Sequence, residues 1–200
     1  VDRLRKTQPS LVGDVVGDLV SVGMLQRVLR NLLANGIPIR ELSTILESLG
    51  EYAGKTKNTD ILTEMTRKHL SRTISEQCKN DAGKIPAITL EPALEHRMTS
   101  SLQQEGEALS LNLPAEVMMD ISSHVVQAWK AAAEKGIEKP VLLCDSRLRY
   151  SFAAMLSRAI PLLSVIAYDE IVPGAEVEPV ETVTLDTVDE ALSRGDLVEV

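Results

Sequence analysis

Apolar residues recur at three- and four-residue steps in the first third of the chain. Val22, Leu25, Val28, Leu29, Leu32 and Leu33 share one side and Arg27 and Arg30 the other, which predicts an amphipathic helix. Ser21 supplies an N-cap hydroxyl and Gly36 a residue able to take the left-handed conformation that closes a helix. The spacing of Leu42, Ile45, Leu46 and Leu49 predicts a second helix following Pro38, a residue favoured in a first turn, and weakened at Gly50 and Gly54. A third helix is expected from about Asp60 to Cys78. Ile61, Leu62, Met65, Leu70 and Ile74 form its apolar positions and Arg67, Lys68 and Arg72 its basic outer face.

The period then changes. KNDAGK is turn chemistry, and IPAITL (85–90) is a short β-favouring run ahead of a helix over Pro92 to Gln103. QQEGEALSLNL reads as a loop with room for one edge strand. Pro114 opens the longest helix, lined by Val117, Met118, Ile121, Val125, Ala128, Trp129 and Ala132 and ended by Gly136. VLLC from Val141, a helix bearing Leu148, Phe152, Met155, Leu156 and Ile160, and LLSVIAY from Leu162 make a β-α-β pattern. Two parallel strands joined by a helix call for a right-handed crossover. EVEPVETVTL is expected as an edge strand leading into a loosely held tail. The fold class is therefore mixed α+β: a helical subdomain followed by a small α/β subdomain with a βαβ unit.

Composition narrows the function classes. The chain has 200 residues, 44% apolar and 25% charged, which is ordinary for a globular protein. Its 21 Lys and Arg against 29 Asp and Glu leave a net charge of −8, which repels a phosphate backbone, so nucleic acid is not expected as a partner. Aromatic residues are confined to Tyr52, Trp129, Tyr150, Phe152 and Tyr168, too few to build stacking platforms. Cys78 and Cys144 lie far apart, and His69, His96 and His124 share no ligand spacing with them, so neither a disulfide framework nor a metal site is indicated. AIPLLSVIAY is half the length of a membrane helix, and VDRLRKTQPS lacks the apolar core of a secretory leader.

Candidate chemistry centres on Cys144-Asp145-Ser146, at the carboxyl end of a strand and the start of a helix, where α/β proteins often bind ligands. A helix N-terminus could activate the thiol, giving the alternative of a small α/β thiol or hydrolase-type enzyme with His124 as a base. The commoner reading is a small core cysteine followed by a helix cap. Gly13, Gly17 and Gly23 match no phosphate-binding loop. The Arg67, Lys68 and Arg72 cluster reads as a solvated face, and acidic pairs such as Asp14 with Asp18 or Asp169 with Glu170 nominate no acid/base pair without geometry. No catalytic residue and no cofactor is expected, and the residues favour a binding or structural module, a soluble helical adaptor among the alternatives.

LQRVLRNLLANGIPIRELSTILESLGEYA, followed by TDILTEMTRKHLSRTI, closely resembles the signature helical block of the FlhA family, the export-gate component of the bacterial flagellar type III secretion system. The strand, Arg-bearing helix, Pro161 and SVIAYDEI segment after Val141 follow the same family. The resemblance implies the C-terminal part of the family's cytosolic region, on the cytoplasmic face of the inner membrane. Residues 1–36 would be helices completing earlier subdomains, 37–113 a mostly helical subdomain with a short strand, and 114–200 an α/β subdomain with an extended tail. Implied partners are flagellar chaperone–substrate complexes, other export-gate and ATPase-complex proteins, and further copies of the protein in a ring. The family's main cargo groove lies upstream of Val1. What the resemblance leaves here as a partner-binding element is the turn around Asp18, Ser21 and Gly23, the last standing where many relatives have a small hydroxyl residue. Gly36 and Pro38 are the expected hinge between rigid modules.

Overall fold

A computed structural model of the chain describes Gly13 and residues 15–184, so VDRLRKTQPS, Asp14 and the tail after Thr184 lie outside the described residues. The chain divides into two compact units, residues 1–76 and 77–200. These units cut the chain elsewhere than the three segments that the family resemblance implies.

The first unit is built from α1 (Val22–Ala34), α2 (Leu42–Tyr52), α3 (Thr59–His69) and α4 (Ser71–Cys78), whose last turn runs past the boundary between units. Ser21 caps α1 as expected, its Oγ accepting the Met24 N–H at 3.2 Å. Leu25, Val28 and Leu32 form the buried stripe of α1, and Ile45, Leu46 and Leu49 that of α2. Both α1 and α2 pack on α3. Asn31 on α1 donates from Nδ2 to Asp60 Oδ1 at 2.9 Å and Thr63 Oγ1 at 3.2 Å on α3, so the packing has direction as well as apolar area. Asn58 Oδ1 accepts the N–H groups of Asp60 and Ile61, which satisfies the first turn of α3.

Three expectations change here. Pro38 stands outside a helix, because Ile37 is buried as the last member of the α1 cap and residues 38–41 carry the chain across to α2. The expected helix from Asp60 to Cys78 breaks at Leu70, whose N–H is shared between Thr66 O and Arg67 O. Leu62, Thr66, Leu70 and Ile74 are all buried at four-residue spacing, and a straight helix would rotate that series by about 40° per step away from one side. The break keeps Ile74 inside. Arg67 is not on an outer face: it is 1% exposed, on the same side of α3 as Thr63, Thr66 and Leu70. Lys68 and Arg72 are exposed as expected.

The second unit runs β1 (Ile85–Leu90), α5 (Pro92–Ser100), β2 (Leu102–Glu105), β3 (Ala108–Leu111), α6 (Ala115–Glu134), β4 (Val141–Cys144), α7 (Ser146–Leu156), β5 (Val165–Ala167) and β6 (Val177–Val183). Its main sheet has the order β5-β4-β1-β6, all parallel, with Ile88 opposite Leu142 and Leu142 opposite Val165. The expected β-α-β unit is therefore present as β4-α7-β5, and EVEPVETVTL does form an edge strand. Ile88, Leu90, Leu142, Cys144, Val165 and Val183 present one sheet face to Leu94 and Met98 of α5, Ile121 and Val125 of α6, and Leu148 and Phe152 of α7. Pro86 fits in β1 because the Ile85 N–H bonds to Glu176 O at 2.8 Å on the β6 side. The Pro86 nitrogen thus faces the β4 side, one residue before that pairing begins at Ala87. The loop expected around QQEGEALSLNL is instead an antiparallel hairpin of β2 and β3, turned at Gly106 with φ 63°, and α5 stops at Ser100 to admit it. No helix among the described residues is long and apolar enough to cross a membrane.

α1 and α6 end alike. Gly36 (φ 73°) donates to Leu33 O and Ile37 to Leu32 O; Gly136 (φ 75°) donates to Ala133 O and Ile137 to Ala132 O. Each is the reciprocal glycine cap that satisfies the last carbonyls of a helix. Gly36→Ala and Gly136→Ala should each lower stability by about 1 kcal/mol, because a β-carbon is disfavoured at positive φ. Gly54→Ala, where φ is not left-handed and nothing lies within 4 Å of the added carbon, should leave stability nearly unchanged. Urea unfolding of the three variants checks this, and equal midpoints for all three would remove the strain argument.

Candidate functional site

The carboxyl ends of β1, β4 and β5 bring together groups from three segments. Asp145 is the N-cap of α7. Its Oδ1 accepts the Arg147 N–H at 2.9 Å, and both carboxylate oxygens accept from the Arg147 guanidinium, also at 2.9 Å. The Asp145 N–H in turn donates to Glu95 Oε1 on α5 at 2.7 Å. The Glu95 carboxylate is also hydrogen-bonded to the Tyr168 side chain, just after β5. Partial burial holds the Glu95 carboxyl above its ordinary range, with the Asp145 charge adding to the effect. Burial and the same carboxylates push the Tyr168 phenol up to about 12. Glu170 is buried, its Oε2 accepting the Ala167 N–H at 2.9 Å.

Cys144, the centre of the enzyme alternative, is fully buried, and desolvation pushes its thiol pKa well up, so the thiolate is strongly disfavoured. Its Sγ lies 3.9 Å from Ile166 O within the sheet. Ser146 is the first residue of α7, and Asp145 serves as cap and ion-pair partner. His124 engages its own helix, with Nδ1 2.8 Å from Asp120 O. The observation behind a thiol nucleophile is thereby removed. The arrangement fastens α5, the start of α7 and the end of β5 together. Among the described residues no group of three His, Cys, Asp or Glu is placed to hold a metal ion. Glu95 and Tyr168 carried no signal in the sequence, because the partner that makes Glu95 notable lies 50 residues away.

The turn carrying Asp18 has a different character. Gly17 (φ 120°) donates to Val20 O at 3.0 Å and Val20 donates to Val15 O at 2.8 Å, forming a tight reversal before α1. Val15 and Val20 are buried while Asp18 is exposed, flanked by Leu19 (36% exposed) and Val22 (70%). The Ser21 hydroxyl is committed to the cap. Gly23 sits in the first turn of α1 with open space around it, since an added β-carbon would meet only Ser21 Oγ at 3.9 Å. Of the expected hinge pair, Gly36 has the left-handed backbone and Pro38 lies in the non-helical connection.

The chain is similar to several known proteins. The chain matches the model of the FHIPEP family over residues 1–176. It is 31% identical over 188 residues to the flagellar biosynthesis protein FlhA of Bacillus subtilis, covering 92% of this chain and 27% of that protein. The chain thus spans about a quarter of the length of the curated relatives it matches. Among solved structures it is similar to the CdsV protein of Chlamydia pneumoniae, with a TM-score of 0.80 at 26% identity over 91% of this chain and 52% of that one. It shares the fold of the nonameric SctV-C of EPEC, with a TM-score of 0.73 at 22% identity over 91% of this chain and 54% of that one.

The Glu95 cluster predicts a pH dependence. Because the folded carboxyl binds its proton more tightly than the unfolded chain does, its contribution to stability falls as pH rises from about 4 through the folded pKa. The cost is complete above that value. Glu95→Gln keeps an acceptor for the Asp145 N–H but has no charge to desolvate. Its stability relative to the parent should therefore match at acid pH and be equal or higher at pH 7. Glu95→Ala, which leaves that N–H without its acceptor, should be less stable throughout. Urea midpoints of both proteins across pH 4 to 8 test this; a Gln variant that loses stability relative to the parent as pH rises would reverse the assignment.

Proposed function

This chain belongs to the FHIPEP family, and we propose that it is a cytosolic module of a flagellar type III protein-export gate, helping to dock and order export substrates and their chaperones. The observation that carries this reading is the identity with flagellar FlhA across nearly the whole chain. In the full-length protein the module would belong to a homo-oligomeric ring at the cytoplasmic face of the inner membrane, in contact with other export-gate and ATPase-complex proteins.

The geometry suits that role. Each unit has its own set of packed elements, so each can act as a rigid body, and an acidic, aromatic-poor surface favours transient contacts over a permanent dry interface. The docking element within this chain is the turn around Asp18, Ser21 and Gly23. Asp18 supplies the charge, Leu19 and Val22 the exposed apolar surface, and Ser21 and Gly23 the helix start behind them. Gly36 and Pro38 form the connection whose geometry sets how α1 is oriented to α2.

Removing residues 13–184 from the full-length protein should abolish secretion of flagellar subunits into the medium while the protein still reaches the membrane. In pull-downs with purified chaperone–substrate complexes, this chain alone should bind weakly or not at all and the longer cytosolic region should bind. Normal secretion by the shortened protein overturns the export reading. Equal, tight binding by this chain alone overturns the view that it supplies only part of the docking surface.

A further inference from the structure

The tight reversal before α1 is held from 38 residues away. Lys57 Nζ donates to the carbonyl oxygen of Leu19 at 2.8 Å. Lys57 stands on a fixed base, since the next residue, Asn58, donates its N–H to Thr56 Oγ1 at 3.0 Å and caps α3 with its side chain. The root of the turn is seated separately. Val15 Cγ2 would lie 3.0 Å from a β-carbon on Gly50, so Val15 packs down on α2 where only a hydrogen fits comfortably. The α2–α3 hairpin therefore fixes both root and tip.

We infer that Lys57 is the positioning residue of this docking turn, its ammonium setting the direction in which Asp18 and Leu19 face a partner; the inference rests on the docking role proposed above. The turn's own hydrogen bonds run between Gly17, Val20 and Val15, and the tip residue Leu19 is tied down by Lys57. Without that tie the tip rests on a glycine-bearing turn, and a flexible tip must lose conformational freedom each time it binds. The surface so presented is a carboxylate beside two exposed aliphatic side chains. It fits a partner segment that carries a lysine or arginine next to an apolar residue.

The test uses the full-length protein and a purified flagellar chaperone–substrate complex as the probe. Amide hydrogen exchange over residues 16–22 reads the turn, and a binding titration reads docking. Lys57→Met, which keeps the aliphatic stem, should speed exchange at the Gly17 and Val20 amides about fivefold and weaken binding as Asp18→Asn does, with the thermal midpoint unchanged. Lys57→Arg should restore both. Exchange unchanged by Lys57→Met overturns the inference. So does faster exchange with undiminished binding while Asp18→Asn weakens it, a result that leaves the docking role itself standing. Binding insensitive to Asp18→Asn overturns the docking role and, with it, the part assigned to Lys57.

Discussion

A strand that pairs parallel to an earlier one has to be reached by carrying the chain back over the sheet, and the second unit meets that requirement at β4, β5 and β6. Two of those returns, from β1 to β4 and from β4 to β5, step across the sheet in the same direction. Right-handed crossovers in one direction place their helices on one face. α5, α6 and α7 accordingly meet a single face made of Ile88, Leu90, Leu142, Cys144, Val165 and Val183. The burial of Cys144 is a consequence of this handedness. A residue at the end of β4 on that face is covered by the helices the crossovers bring, whatever chemistry its thiol could offer in the open.

Polar groups determine where the packed elements stop sliding. Apolar contact is non-directional and would accept several registers between helices, whereas a buried hydroxyl or amide left without a partner is costly. In the first unit Ser48 donates to Thr66, Thr66 donates to Leu62 O, and Asn31 reaches Asp60 and Thr63. In the second, Glu95 to Asp145 N–H ties the first helix after β1 to the helix after β4. Both sets join elements well separated in sequence, and both run between residues of one unit. Each unit is thereby fixed internally.

The turn before α1 is built from very little chain. Gly17 permits the reversal, Val15 and Val20 anchor it, and the tip carries one carboxylate and one exposed leucine. The neighbouring hairpin meets it twice, through the space left by Gly50 and the reach of Lys57. Gly50 reads in the sequence as a weak point in a helix; in the structure the helix runs through it to Tyr52, and the missing side chain is what lets Val15 approach.

Local signals were legible in the sequence by themselves. The amphipathic stripes of α1 and α6, the Ser21 cap, the glycine terminations at Gly36 and Gly136 and the β4-α7-β5 unit all depend on residues within a few turns of one another, and the family block between Leu25 and Ala53 lies in one continuous stretch. The tertiary structure alone decided the matters that depend on partners far along the chain. Arg67 carries the same charge as Lys68, yet α3 lies against α1 and α2 so that Arg67 is enclosed and Lys68 is not. The helix expected through Leu70 is broken there because four-residue spacing drifts around a straight helix and the core does not. Glu95 and Lys57 look like ordinary surface charges until Asp145 and Leu19 are brought to them, since a periodic pattern shows which side of an element is covered but carries no record of what covers it.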